Sequence, residues 1–219
     1  MYEHPPLRIR VWGDFACFTR PEMKVERVSY EVMTPSAARG ILESIFWKPE
    51  VSWRVLSLKV LRPIRHFSIL RNEVNSVIAP RTVAGWMSAA EHSSNFADED
   101  RAQRHTLALR DVGYEIAGQM VLRPHADADI AKYRDQFRRR VDRGQCHLRP
   151  CLGCREFPAH FGPVDESERP WEHSDDLGQM LFDLRYDLQS GRADPVFFPA
   201  RLEGGVLEVP QHLYEEVGL

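Results

Sequence analysis

The residues of this 219-residue chain best suited to chemistry crowd into "RPCLGCREFPAHF", residues 149–161. Cys151 and Cys154 form a C-x-x-C arrangement, with Cys146 and His147 just upstream. Three readings are open. The four ligands could hold zinc, but a structural zinc site usually has two separated pairs bridged by a loop of about a dozen residues or more. Here all lie within nine residues and no second C-x-x-C follows. A thioredoxin-type redox pair wants its motif at a helix start, and the run from Arg155 to Pro158 does not start a convincing helix. The third reading, a turn at Gly153 feeding a strand with the cysteines as small packing residues, leads.

Other enzyme signatures are missing. The sequence has no phosphate-cradling Gly-Lys-Ser/Thr loop, no paired-glycine dinucleotide fingerprint and no Gly-x-Ser-x-Gly elbow. His66, His92, His105, His125, His147 and His160 are scattered. What remains is a basic helix, "DADIAKYRDQFRRRVDRGQ". Ile130, Tyr133, Phe137 and Val141 make one apolar stripe. Lys132, Arg134, Arg138, Arg139, Arg140 and Arg143 make the rest strongly positive, and Gly144 is a natural C-cap. Arginines on such a helix can contact phosphates, and aromatics such as Trp12, Tyr30 and Phe67 could stack bases.

The elements that must position these groups are legible in outline. "LRIRVWGDFACFTRP" alternates, with Leu7, Ile9 and Val11 on one face and Arg8, Arg10 and Trp12 on the other. That predicts a strand, with Gly13 allowing a bulge or bend. "VERVSYEVM" reads as a second extended segment. In "TPSAARGILESIFWKP", Thr34 suits an N-cap and Pro35 the first helical position; Pro49 ends the helix. "VSWRVLSLKVLRPI" reads as a strand. Residues 65–105 read as short strands and a long, partly mobile loop. "HTLALRDVGYEIAGQMVLRP" gives two extended runs around Asp111. The acidic, Pro-rich "GPVDESERPWEHSDD" looks like a linker or surface loop. The tail predicts three antiparallel strands with a turn at Gly204-Gly205.

This order predicts an α+β fold. Residues 1–162 would form a ferredoxin-like, RRM-like domain with an antiparallel sheet and two helices, and residues 163–219 a small antiparallel β domain. Charge divides at the same place. The last 57 residues carry 13 acidic and 4 basic side chains; the first 162 carry 19 acidic and 25 basic ones. The N-terminal part therefore suits a polyanionic partner. No apolar run approaches the ~20 residues that span a bilayer. The N-terminus has no signal-peptide pattern, so the sequence predicts a cytoplasmic protein without membrane contact.

Two stretches, "VWGDFACFTRPEMKVERVSYEVMTPSAARGILESIFWKP" and "RRRVDRGQCHLRPCLGCREFPAHF", resemble the Cas-five family of the CRISPR-associated RAMP superfamily, in its subtype I-C "d" variant. Gly13-Asp14, the "ESIFWKP" helix end and "LGCREFP" are the most specific parts. The resemblance runs from about Leu7 to the C-terminal strands. It implies a metal-independent endoribonuclease with no cofactor, which cuts CRISPR repeat RNA in the precursor transcript. The ribose 2′-hydroxyl attacks the adjacent phosphate, leaving a 2′,3′-cyclic phosphate. The protein then stays on the 5′ handle and joins backbone and large subunits in a Cascade-type interference complex. A basic surface would also permit double-stranded DNA. The alternative is a non-catalytic, handle-binding structural subunit. The resemblance also makes "LGCREFP" a structural turn and strand.

The family's active site is typically a tyrosine ending the first helix and a Lys-His pair starting the second. The lysine carries over to Lys132, which would stabilise phosphorane charge. The tyrosine position is Phe46, without a hydroxyl, and the histidine position is Tyr133. Lys132 and Tyr133 are thus the expected catalytic residues, with His147 or His66 as other sources of a base. Arg134, Arg138, Arg139, Arg140 and Arg143 are the expected RNA contacts.

Overall fold

Alternating apolar residues build the first strand, β1 (Leu7–Ala16), and its buried face carries Leu7, Ile9 and Val11. The computed structural model describes residues 4–88, 96–187 and 189–219. His92 lies outside them. After β1 come β2 (Arg27–Val28), α1 (Pro35–Ile45), β3 (Val51–Val60), β4 (His66–Val74), α2 (Pro80–Ser88) and β5 (Arg101–Leu122). Then follow α3 (Ile130–Asp142), β6 (His160–Gly162), β7 (Asp175–Tyr186), β8 (Ala193–Glu203), β9 (Val206–Glu208) and α4 (Leu213–Glu216). The fold is α+β, built on a mostly antiparallel sheet.

Among the described residues the strands form one nine-stranded sheet, ordered β6-β1-β5-β3-β9-β8-β7, with β2 and β4 also paired to β5. β5 is the spine. The two runs expected around Asp111 are one 22-residue strand. Its first half pairs with β4 and its second half with β1 and β3. Asp111 marks the junction, at φ 53°, with its carboxylate held by Arg62 and Arg65. A short polar side chain tolerates that left-handed conformation.

α1 begins where its sequence chemistry places it. Thr34 Oγ1 accepts from the Ala37 amide at 3.3 Å, and Pro35 follows. Its face of Ala38, Ile41, Leu42 and Ile45 packs on the sheet. α3 lies beside it, and Phe137 meets Trp53 of β3 with ring centroids 4.7 Å apart. Truncating a buried ring of this kind costs about 3–5 kcal/mol.

Two expectations change. Gly13 sits in regular register with Val112, not at a bulge. Its reason is close approach: a Cβ there would meet Leu152 Cδ1 at 2.6 Å and the Pro158 carbonyl oxygen at 3.0 Å. Residues 65–105 are more ordered than a loop. The β4–β5 ladder runs from His66↔Leu109 to Val74↔Arg101, and α2 follows with no buried residue. Only residues 89–95 of that span lie outside the described chain.

The C-terminal strands form as expected, with Gly204 and Gly205 at positive φ between β8 and β9. β9 also pairs with β3, so the sheet runs on without a break. Residues 163–174 lie against β1 and β3. Glu166 accepts from Arg8 at 3.0 Å, Glu168 from Arg10 at 2.7 Å, and the Trp171 amide donates to the Val60 carbonyl at 2.8 Å. Arg39 of α1 grips Asp183 of β7 through two hydrogen bonds of 2.7 and 2.9 Å.

Candidate nucleic-acid interface

The basic helix α3 is held at both ends by local chemistry. Asp129 caps its N-terminus, accepting from the Ala131 amide at 2.7 Å. At its C-terminus Gly144 takes φ 63°, the Gln145 amide reaches the Arg140 carbonyl and the Gly144 amide the Val141 carbonyl. That is a Schellman closure. Tyr133, Arg134, Phe137 and Val141 face inward.

The expected phosphate contacts divide into two groups. Arg134 is 3% exposed, donates to the Pro5 carbonyl at 2.6 Å and anchors the N-terminal segment. Burial depresses its pKa, with Arg138 adding to the effect. Arg140 is half-buried. It donates to the Ile45 carbonyl at 2.7 Å, which caps the C-terminus of α1, and lies 5.2 Å over the Phe46 ring. Arg138, Arg139 and Arg143 are exposed; Arg138 pairs with Asp135 at 3.1 Å.

Lys132, Arg139 and Arg143 make no ion pair among the described residues, and neither do Lys48, Arg149 and Arg155 close by in the fold. All six are exposed. On or beside the strands, Arg8, Arg10, Arg20, Arg27, Arg62, Arg65, Arg71 and Arg104 each have a carboxylate partner, whereas Arg101 and Arg110 of β5 have none among the described residues. α3, the loop after it and the end of α1 thus carry six exposed cations without an ion pair among the described residues, while exposed cations such as Lys24, Arg101 and Arg110 lie elsewhere in the same condition.

Lys132 and Tyr133 sit together, as sequence neighbours must, but in different environments. Lys132 is exposed, with Nζ 6.0 Å from the Tyr133 ring centroid. Tyr133 is 3% exposed; its ring packs on Phe46 and its hydroxyl donates to Asp127 at 3.2 Å. Burial pushes its phenol pKa up, and Glu50 and Asp127 push it further. A neutral phenol beside carboxylates can donate a hydrogen bond but is no base at neutral pH. Asp127 and Glu50 come from loops far apart in sequence, and no local pattern announces them.

Of the aromatics expected to stack bases, Tyr30 is fully buried and its hydroxyl accepts from the Leu181 amide at 3.1 Å. Phe67 packs on Phe15, and Trp12 lies between Arg10 and His160. Trp47 was missed. It is 53% exposed at the end of α1 and lies nearly parallel to the His147 ring, at an interplanar angle of 21°. His66 is exposed on β4, and nothing places it beside Lys132.

The C-x-x-C segment is a turn. The Leu152 amide donates to the Phe157 carbonyl at 2.8 Å, and Cys151 bridges to Pro158. Gly153 has φ 85°, and a Cβ there would fall 2.0 Å from the Cys17 carbonyl oxygen. Cys154 Sγ lies 3.4 Å from Arg27 and 3.6 Å from the Cys17 carbonyl. Hydrogen bonds from Cys17 and Thr19, with the charge of Arg27, hold the Cys154 thiol pKa low. Among the described residues no group of three or more His, Cys, Asp or Glu could hold a metal ion.

The family profile for Cas5d, described as "CRISPR-associated protein (Cas_Cas5)", matches residues 6–210. The chain is 44% identical to the "CRISPR pre-crRNA endoribonuclease Cas5d" of Thermus thermophilus, covering 96% of this chain and 94% of that one. It is also 44% identical to the protein of the same name from Mannheimia succiniciproducens, covering 96% and 97%. A solved structure titled "Crystal Structure of CRISPR-associated Protein" superposes with a TM-score of 0.68 at 23% identity, over 96% of this chain and 94% of that one. With a profile match over nearly its whole length and two relatives at this identity, the chain belongs to the Cas5d family of CRISPR-associated proteins.

Proposed function

We propose that this protein is a CRISPR precursor-RNA endoribonuclease. It cuts the repeat by 2′-hydroxyl attack without a metal and stays on the 5′ handle as a subunit of a Cascade-type complex. The observation that carries this reading is the group of exposed cations without carboxylate partners, running from Lys132 along α3 to Arg155. Its family membership supplies the substrate class: both curated relatives bear the name of pre-crRNA endoribonucleases. In this reading the chain order β1-α1-β3-β5-α3-β6 is a ferredoxin-like unit spanning residues 1–162, and residues 163–219 are a small β domain added at β3. Backbone and large subunits are its protein partners, and its setting is the cytoplasm. The unpaired cations are equally able to bind the phosphates of double-stranded DNA.

The chemistry divides among the residues as follows. Arg138, Arg139 and Arg143 hold phosphates and fix the strand. In-line placement of the scissile nucleotide lowers much of the barrier. Lys132 meets the phosphorane charge as a mobile, exposed ammonium. Tyr133 remains neutral; we assign it the proton donated to the leaving 5′-oxygen, which requires its hydroxyl to turn away from Asp127 and its ring to open to the RNA, while water takes the proton of the attacking 2′-hydroxyl and later reprotonates the phenol. Arg134 and Arg140 hold the helix in place.

One observation favours a second reading, a handle-binding subunit without cleavage: the family's tyrosine position holds Phe46, and the phenol of Tyr133 is buried. End-labelled repeat RNA incubated with the protein in excess EDTA, beside a copy with a 2′-deoxy at the cut site, decides between them. A single EDTA-resistant cut that the deoxy substitution blocks supports the nuclease. Tight binding with no cut supports the structural subunit.

A further inference from the structure

Beside the basic face lies a recess that the proposed reaction does not use. Gly40, Glu43, Ser44, Trp47, His147 and Leu148 line a cavity of about 350 Å³ at the C-terminal end of α1. Its walls are mainly apolar, and its large side chains are open to solvent: Trp47 is 53% and Leu148 64% exposed. The backbone brings the two residues together. Trp47 directly follows the α1 cap residue Phe46, and the His147 amide donates to the Ser44 carbonyl at 2.8 Å. The rings are nearly parallel, with centroids 6.4 Å apart. A second recess of about 440 Å³ shares Ser44 and Leu148 and ends at Arg149 and Arg155. Neither arginine has an ion-pair partner among the described residues.

An exposed indole and imidazole set parallel, floored by apolar surface and flanked by free cations, match the needs of an unpaired nucleotide. The base is flat and apolar on its faces; its phosphates carry the charge. We infer that Trp47 and His147 form a stacking platform for one unpaired base of the bound RNA, with Arg149 and Arg155 receiving the adjoining phosphates. This inference rests on the RNA-binding reading above and names the place where a base is held. The platform is sequence-tolerant, because every base has a π-face. It sets the register of the RNA relative to Lys132.

The test is binding of 2′-fluoro repeat RNA, which cannot undergo internal attack, to wild-type protein, Trp47→Ala and Trp47→Phe. The exposure of Trp47 predicts unchanged thermal midpoints for both variants, which the same preparations check. Trp47→Ala should weaken binding roughly 5- to 150-fold, and Trp47→Phe should stay within about threefold of wild type. A series of RNAs with a single abasic nucleotide supplies the second arm. One abasic position should reproduce the loss in wild type and add nothing in Trp47→Ala. Affinity of Trp47→Ala within about twofold of wild type overturns the platform, as do abasic losses that multiply with Trp47→Ala at every position. An Arg139→Glu/Arg143→Glu variant separates the two failures. If it loses affinity while Trp47→Ala does not, the RNA reading stands and the platform falls. Wild-type protein that does not bind the RNA overturns both.

Discussion

Phe46 and Tyr133 touch. Their ring centroids are 6.3 Å apart across the contact between α1 and α3. These are the two positions at which this chain departs from the catalytic pattern its family resemblance implies, so the departures share one neighbourhood. Phe46 is fully buried and Tyr133 nearly so. A hydroxyl moved onto ring 46 would enter packed surface. Phe46→Tyr should therefore lower stability by about 1–3 kcal/mol in urea unfolding, the cost of a buried unpaired hydroxyl. Adding Tyr133→Phe should give a total that differs measurably from the sum of the two single changes, because the residues are in contact.

In the proposed mechanism Lys132 is the residue that meets the charge on the phosphorane. Lys132→Ala should lower the single-turnover cleavage rate roughly 100-fold or more, with repeat-RNA affinity changed by no more than a few-fold. Cleavage at the wild-type rate would show that the charge on the phosphorane is met elsewhere.

The exposed arginines should act on affinity and on its salt dependence together. Arg139→Glu with Arg143→Glu should weaken RNA binding at low salt and make the slope of log affinity against log salt shallower by about two. Arg134→Ala should behave differently. It removes a buried anchor to Pro5, so its effect should appear in the unfolding midpoint.

Alkaline pH should weaken the fold. Burial is the main cause raising the phenol pKa of both Tyr30 and Tyr114. Their unfolded values lie near ~10. The native state therefore keeps protons that the unfolded chain releases, and stability present below about pH 10 is lost as pH rises through that point towards the raised native values. Urea midpoints taken between about pH 8 and about pH 11 should fall. Tyr114→Phe should flatten that fall.

What the sequence revealed depended on whether the cause was local. Thr34 and Pro35 start α1, and Gly144 closes α3, through bonds to residues within a few positions, so composition and order sufficed. The Gly204-Gly205 turn was visible for the same reason. The single long β5 was not, because the residue that seemed to divide it, Asp111, is held in its left-handed conformation by Arg62 and Arg65 from another part of the chain. Burial of a chemically suggestive side chain was hidden too. Tyr30 and Arg134 read as available for RNA, yet their partners, the Leu181 amide and the Pro5 carbonyl, lie more than a hundred positions away. Trp47 went unnoticed because a Trp beside a buried Phe reads as core until the helix end turns it outward.

The segment of residues 163–174 has a consequence for the approach to RNA. By neutralising Arg8 and Arg10 with Glu166 and Glu168, it silences the positive charge of one flank. The cations of α3 and its following loop stay uncompensated. On a molecule of net charge -3 these cations form a positive pole. A pole of this sign should steer an RNA strand towards it before contact. Productive encounters should therefore be a large share of all encounters at low ionic strength, and the association rate should drop as counterions shorten the reach of that pole.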